Sequence, residues 1–316
     1  MEDIYIGNIK LDMQFYSGLD EYSDGDIEEK MLRIVRDSHD IEIECYKTDD
    51  FPVYYHLSKE RELIIEPMLI DKSESVLEIG AGCGAVTGAL CRYAQKVDCI
   101  DLSRRRSLIN AYRHKDCDNL TLYVGNYEDI ELERKYDVIT LIGVLEYANY
   151  YIHSNSPYID FLSGLNKNLK DDGRIYIAIE NRLGAKYFSG CKEDHNGEAF
   201  SGIEGYQKSI KARTFSYYEL RNLCFNSGFK KLRFYYPYPD YKFPLQIFSD
   251  KYLPPKGSLV MKGSNYVSPR IECFDELKFL NSLSGKEEFR MFANSFLVEL
   301  KRYIVKVLWI EKENIR

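Results

Sequence analysis

The side chains best suited to bind or activate a small molecule sit where apolar runs of this sequence end. In "VLEIGAGCGAVTGAL", residues 76–90, Gly80, Gly82 and Gly84 alternate along a turn, and Glu78 stands two residues ahead of the first. A carboxylate inside an apolar run is costly to bury and needs a partner. Asp101 closes the next apolar run, "KVDCIDLS", roughly 20 residues beyond Gly80, a spacing at which an ionised carboxylate accepts two bonds from a ribose diol. Glu146 ends "YDVITLIGVLEY", Glu180 and Asn181 end "GRIYIAIEN", and His195 lies in "CKEDHNG" beside Asp194, which could orient its ring or bind a metal with it. Carboxylates and an imidazole at such places can take a proton from an acceptor hydroxyl. No spacing resembles a strong metal site, and the reading is of a site without metal.

These groups must be positioned by alternating strands and helices. From Ser75 the chain reads strand ("SVLEIG"), helix ("GAVTGALCRYA"), strand ("KVDCIDLS"), helix with Ser103 as N-cap, strand ("NLTLYVGN") and strand ("YDVITLIGVLEY"). A helix stopped by Gly173, the strand "GRIYIAIEN", a polar loop over 182–213, the helix "SYYELRNLCFNSGF" and the strand "KKLRFYYPYP" follow. Strands separated by helices imply parallel βαβ units, hence a doubly wound α/β sheet. Residues 1–72 read as an N-terminal helical cap, with one helix started by Ser23 or Asp24 and another by Ser58, shortened by Pro67. Residues 73–239 read as the core and 240–316 as an insertion and C-terminal appendage. "SFLVEL" is the favoured seventh strand, and "PLQIF" is the alternative.

The totals narrow the function class. With 316 residues, 45% hydrophobic and a net charge of −7, the chain has material for a sizeable core but not the basic field of a duplex nucleic-acid binder. The basic cluster Arg104–Arg106 reads as a solvated helix face. Eight scattered cysteines without a C-x-x-C pair fit reduced thiols. The N-terminus lacks a signal-peptide pattern, and no apolar run is long enough to span a membrane, so the expectation is a cytoplasmic chain.

The glycine turn and Asp101 alone admit NAD, FAD or S-adenosylmethionine (SAM), since each carries an adenosine ribose. Three segments separate them. "EIGAGCG", with its acid before the glycines, resembles motif I of the class I SAM-dependent methyltransferases. "YVGNYEDI" resembles their adenine segment, with Gly125, Asn126 and Tyr127 where Gly-Asp-Ala is usual. "KYDVITLIGVLEYAN" resembles their fourth-strand segment, with Tyr147 where many members have His. The resemblance implies a seven-stranded Rossmann-like sheet. It places SAM against Glu78, Gly80, Ala81, Gly82, Gly84, Asp101, Leu102, Asn126 and Tyr127. His56 and Arg61, in "YYHLSKER", could reach the cofactor's carboxylate from the cap, Arg being a natural fork for it. Asp137 reads as a structural strand-start residue, and "FYYPYPDY" as aromatic contacts for an acceptor or a bare connector.

Segments outside the core, among them "FPVYYHLSKERELIIEP", "IENRLGAKYFSGCKEDHNGEAFSGIEGY" and "YYPYPDYKFPLQIFSD", resemble bacterial methyltransferases linked to cell-surface polysaccharide biosynthesis. That implies a sugar, glycan or other small-molecule O-methyl acceptor, with Glu146, His195 and Glu180 as catalytic candidates. The partner it implies is a glycosyltransferase or another glycan-assembly protein. Two other readings stay open: a non-catalytic SAM-binding scaffold, and a protein or RNA methyltransferase.

Overall fold

The computed structural model describes residues 2–20, 25–261 and 270–302. Its centre is one sheet of ten strands: β1 (Ile4–Ile6), β2 (Ile9–Asp12), β3 (Ser75–Ile79), β4 (Lys96–Asp101), β5 (Leu120–Val124), β6 (Tyr136–Ile142), β7 (Leu169–Glu180), β8 (Phe229–Tyr238), β9 (Gln246–Ser249) and β10 (Ser295–Arg302). The order is β1-β2-β5-β4-β3-β6-β7-β10-β8-β9. From β2 to β7 the neighbours are parallel, while β10 runs antiparallel between β7 and β8. The sheet is therefore doubly wound, as expected. Its last core strand is "SFLVEL", and "PLQIF" supplies the edge strand β9.

The parallel strands are apolar on both faces because helices cover both. Along β3, Leu77 and Ile79 enter one core layer and Val76 the other. Alternation puts Glu78 on the Val76 face, against helix α4 (Thr87–Tyr93). After β5 the chain crosses back past β3 to form β6. The switch in strand order thus falls between β3 and β6, where doubly wound sheets open a crevice at their carboxyl ends.

The N-terminal region differs from its reading. Residues 1–72 are not all helical, because β1 and β2 form a hairpin that lengthens the sheet beside β5. Its helices are α1 (Asp26–Asp37), α2 (Ile41–Lys47) and α3 (Phe51–Leu57), followed by a 3-10 turn over Lys59–Met68 that contains Pro67. Gly25 occupies the N-cap of α1, and the expected caps Ser23 and Asp24 lie outside the described residues. Ser58 precedes the 3-10 turn but its side chain caps nothing. Met31, Val35, Val53 and Leu57 of the cap pack on Cys83 of the glycine turn and Ile109 of helix α5 (Arg104–Arg113). Arg106, read as solvated, is instead buried against Glu28 of α1 at 2.8 Å. This ion pair ties the cap to the sheet beside the turn.

Elsewhere the elements follow the reading except at Gly173. Ser103 accepts from Arg106 N at 3.2 Å as the N-cap of α5. Asp137 takes Ser75 N at 2.8 Å and Lys170 at 2.7 Å, which locks β3, β6 and β7 at their starts. Gly173 lies inside β7 rather than ending a helix. The preceding helix, Pro157–Gly164, and its 3-10 extension stop at Lys167.

Candidate active site

A cavity of about 340 Å³ opens at the carboxyl ends of β3, β4, β5 and β6, within the range of small-molecule sites. The glycine turn forms its floor. Gly80 has φ +72° and Gly82 φ +52°, left-handed values that side chains resist. A Cβ on Gly80 would strike Val144, whereas one on Gly82 would meet nothing within 4 Å and point into free space. Gly82 therefore brings bare backbone to the cavity. Gly84 does not line it. A Cβ there would collide with the Asn110 side chain, so its expected cofactor role gives way to packing of α5 on the turn.

Asp101 lies at the end of β4, where its Oδ2 accepts Gly82 N at 2.7 Å and its Oδ1 accepts Ser103 N at 2.9 Å. Burial raises its pKa and these two amides oppose the rise. Each oxygen keeps a lone pair for a ligand hydroxyl. Glu78 receives Thr87 Oγ1 at 2.6 Å and Cys99 Sγ at 3.2 Å, which answers the need for partners. Burial still pushes its carboxyl up to about 7. Ala81, Leu102, Asn126 and Tyr127 are also on the wall. Tyr127 is fixed by its hydroxyl, which donates to Asn168 Oδ1 at 2.9 Å.

The cap roofs the cavity with Phe51, Tyr55, His56 and Arg61. The Arg61 guanidinium sits 4.2 Å over the Tyr55 ring and donates to Lys242 O at 3.3 Å. Its Nε is buried with no hydrogen bond. A cation with a spare donor thus faces a cavity otherwise provided with Asp101, Glu78 and bare glycine backbone. Those groups match the carboxylate, diol and ammonium of an amino-acid nucleoside.

Behind the wall the structure gathers three residues from three elements. A 3-10 turn after β6 (Leu145–Tyr147) holds Glu146, the end of β7 holds Glu180, and the long loop holds His195. The loop is pinned by Glu193, whose Oε2 accepts His195 N at 2.8 Å and Asn196 N at 2.9 Å. One potential ligand atom from each of Glu146, Glu180 and His195 lies within 4.8 Å of the others. His195 Nε2 is 3.4 Å from Glu180 Oε2, close enough for an ion pair with a protonated ring but out of line for a hydrogen bond. A Cβ on Gly143, which lines the cavity, would be 3.6 Å from Glu146 Oε1. The cluster therefore stands one layer behind the cavity wall.

Its electrostatics follow from burial and neighbours. Burial pushes the Glu146 carboxyl up to about 7, with His195 pulling it back. For Glu180 burial also acts upward, but Lys242 and His195 outweigh it and hold the carboxyl well below its ordinary range. For His195 burial acts downward, and Glu180 and Glu146 reverse it, raising the ring to about 9.

Several partners escaped the sequence reading. Asp194 does not orient His195. It pairs with Lys186 at 2.9 Å and Lys242 at 3.0 Å. Tyr147 orients the ring instead, through its hydroxyl at 3.0 Å from Nδ1. Its place in "LEYAN" was read as the loss of a histidine, and no local signal ties it to a residue 48 positions away. Lys242 pairs with Glu180. Asn181 is structural, donating to Met291 O at 2.9 Å and Ala293 O at 2.8 Å.

Residues 77–175 match the family model described as methyltransferase domain. This segment is thus similar to a methyltransferase domain. It contains the glycine turn, Asp101, Asn126 and Glu146, and methyltransferase domains of this kind use SAM, an amino-acid nucleoside. The chain is 30% identical over 125 residues to ribosomal RNA small subunit methyltransferase A of Fusobacterium nucleatum, covering 39% of this chain and 44% of that protein. It is 27% identical over 139 residues to the mitochondrial ubiquinone biosynthesis O-methyltransferase of Candida albicans, covering 42% and 40%. The chain thus spans less than half the length of these curated relatives. Among solved structures, it is similar to a SAM-dependent methyltransferase, possible histamine N-methyltransferase, from Thermotoga maritima. That likeness has a TM-score of 0.47 and 14% identity, and covers 86% of this chain and 100% of that one. No helix among the described residues is long and apolar enough to cross a membrane.

Proposed function

We propose that the whole chain is a SAM-dependent methyltransferase acting on a hydroxyl of a sugar, glycan or other small-molecule acceptor, in the cytoplasm. The observation that carries this reading is the buried Glu146–Glu180–His195 cluster directly behind the cavity wall at Gly143. When bound, SAM supplies an electrophilic methyl group on a sulfonium. Asp101 accepts the ribose hydroxyls, Arg61 and His56 face the carboxylate, and Glu78 supplies charge for the amino group. The backbone of Gly80 and Gly82 gives the ligand room, and Asn126 and Tyr127 flank its base. Orientation of this kind supplies up to about 7–11 kcal/mol of a transfer barrier. The cluster handles the acceptor's proton, since a neutral hydroxyl is a poor nucleophile.

Three ionisable groups with perturbed pKa values, buried beside the cavity wall, favour an enzyme over a non-catalytic scaffold. The ribosomal RNA relative matches only part of its own length, and a net charge of −7 opposes an RNA acceptor. The polysaccharide setting and a glycosyltransferase partner rest on the sequence resemblance. Conversion of SAM to S-adenosylhomocysteine over a panel of nucleotide sugars, lipid-linked glycans and RNA tests the reading. Turnover on a sugar hydroxyl is expected, whereas turnover on RNA alone, or on nothing, would refute the acceptor class.

Glu78 gives a proton-linkage prediction. In the free chain burial pushes its carboxyl up to about 7. A ligand ammonium nearby favours the ionised form and lowers that value. SAM binding should therefore release a fraction of a proton near pH 6.5 and tighten from pH 6 to about pH 7, above which loss of the ligand's own ammonium proton opposes further gain. Calorimetry in buffers of different ionisation enthalpy reads the release. Glu78→Gln should abolish it, and an equal release in that variant would show that another group is responsible.

A further inference from the structure

We propose that Glu146, Glu180 and His195 form a binding site for a divalent metal ion of the Mn²⁺ or Zn²⁺ class. Each side chain has one polar atom left over. Glu180 gives Oε1 to Lys242 and keeps Oε2, which is buried without a hydrogen bond. His195 has Nδ1 on the Tyr147 hydroxyl and keeps Nε2, also without a hydrogen bond. Glu146 Oε2 is likewise buried and unbonded. Glu146 is 1% exposed, Glu180 0% and the His195 side chain 7%. Glu146 Oε2 has no hydrogen bond, and Glu180 Oε2 and His195 Nε2 have only their mutual 3.4 Å ion pair, so the burial of all three is poorly compensated. A cation satisfies all three at once.

The geometry and charge agree. Ligand atoms around a tetrahedral ion with bonds of about 2.1 Å lie roughly 3.4 Å apart. Glu180 Oε2 and His195 Nε2 are already 3.4 Å apart, and the whole set lies within 4.8 Å. Small side-chain rotations close the remainder. The outer partners are those a metal site uses: the imidazole is held through its other nitrogen and a carboxylate through its other oxygen, which fixes the direction of the free atoms. A divalent ion would replace the protons that the His195 ring and the two carboxylates share, and Glu146, Glu180, Asp194 and Asp240 would then face Lys186, Lys242 and the ion. One imidazole and two carboxylates suit an ion of borderline hardness rather than a thiophilic one.

Three protein ligands leave coordination positions open. Glu146 lies behind Gly143, so those positions adjoin the cavity. A cation there would hold an acceptor oxygen and lower its pKa as a Lewis acid. This use of the site rests on the O-methyltransferase reading, whereas the site itself stands on the three side chains. No sequence motif announces it, because its members come from three separate elements. The absence of a metal-ligand spacing led the sequence reading to a site without metal.

The test is Mn²⁺ binding to the metal-stripped full chain, by equilibrium dialysis and electron paramagnetic resonance. One saturable site per chain is expected, with hyperfine coupling to one imidazole nitrogen. Glu146→Gln and His195→Gln should each weaken binding by roughly tenfold to a hundredfold or more. Both variants should still bind SAM, which shows that they are folded. Absence of saturable binding up to about 1 mM for both Mn²⁺ and Zn²⁺ would overturn the proposal, leaving an imidazolium between two carboxylates as the resting arrangement. Binding without nitrogen coupling would also overturn it, and that measurement needs no variant. So would binding unchanged in both variants. SAM binding is measured separately, so failure of the metal site and failure of the methyltransferase reading are distinct results.

Discussion

Glu146→Gln is expected to lower methyl transfer about 10²–10⁴-fold, the span associated with a positioned proton-handling group, while SAM affinity changes by less than about threefold. The two effects separate because Glu146 lies outside the cofactor cavity, behind Gly143. The substitution keeps the shape of the side chain. It removes a charge that His195 faces, and it exchanges an oxygen without a hydrogen bond for an amide that can donate. His195→Gln should give a similar loss. The double variant should be little worse than either single one, because residues that act as a unit do not contribute additively. Single-turnover rates at saturating SAM, with calorimetry alongside, read the split. Loss of SAM affinity with an unchanged rate would move Glu146 from the chemistry to the cofactor's support. The prediction holds whether the cluster takes the proton itself or does so through a bound cation.

Gly82→Val should reduce SAM affinity by at least about a hundredfold, roughly 2.8 kcal/mol. At φ +52° a β-branched residue is strained by about 1–3 kcal/mol, a cost to stability borne by the free and the bound chain alike. The added methyl groups then project into space that is empty out to at least 4 Å and open to the cavity. Steric exclusion falls on the ligand rather than on the core, so the variant should remain folded. Gly82→Ala separates the contributions, since it carries the backbone strain with one methyl group instead of three carbons. Gly84→Ala is the contrasting case. Its Cβ would meet Asn110 and His114, so destabilisation rather than exclusion of the ligand is expected. Thermal unfolding and calorimetry together distinguish the pair. Equal SAM binding by Gly82→Val and the native chain would remove the glycine floor from the cofactor site.

The sequence disclosed the parts of this molecule that depend on neighbours in the chain. Strands β3 to β8 are marked by apolar runs, and the crossover implied by their helices places the cavity at the β3–β6 switch. The glycine turn, Asp101 and Asn126 follow, because each ends a strand of known order. "SFLVEL" was recognisable as the last core strand. The β1–β2 hairpin was not, since two strands of three and four residues carry too little alternation. Burial of Arg106 was hidden because its partner Glu28 belongs to another element. The Glu146–Glu180–His195 cluster was legible as candidates but not as a constellation. Glu146 and Glu180 were conspicuous at strand ends, and His195 on its loop. Their convergence depends on how that loop folds back, pinned by Glu193 and Tyr147. Lys242 and Lys186 were missed for the same reason. Asp194 was adjacent to His195 in sequence, yet its carboxylate turns away to those lysines.

A paired calorimetric titration of the full chain tests most directly whether the glycine turn holds an amino-acid nucleoside rather than a dinucleotide. Saturable binding of SAM at one site per chain, abolished by Asp101→Ala, with no saturable binding of NAD⁺, is the predicted result. Saturable NAD⁺ binding without SAM binding, or SAM binding unaffected by Asp101→Ala, would contradict it.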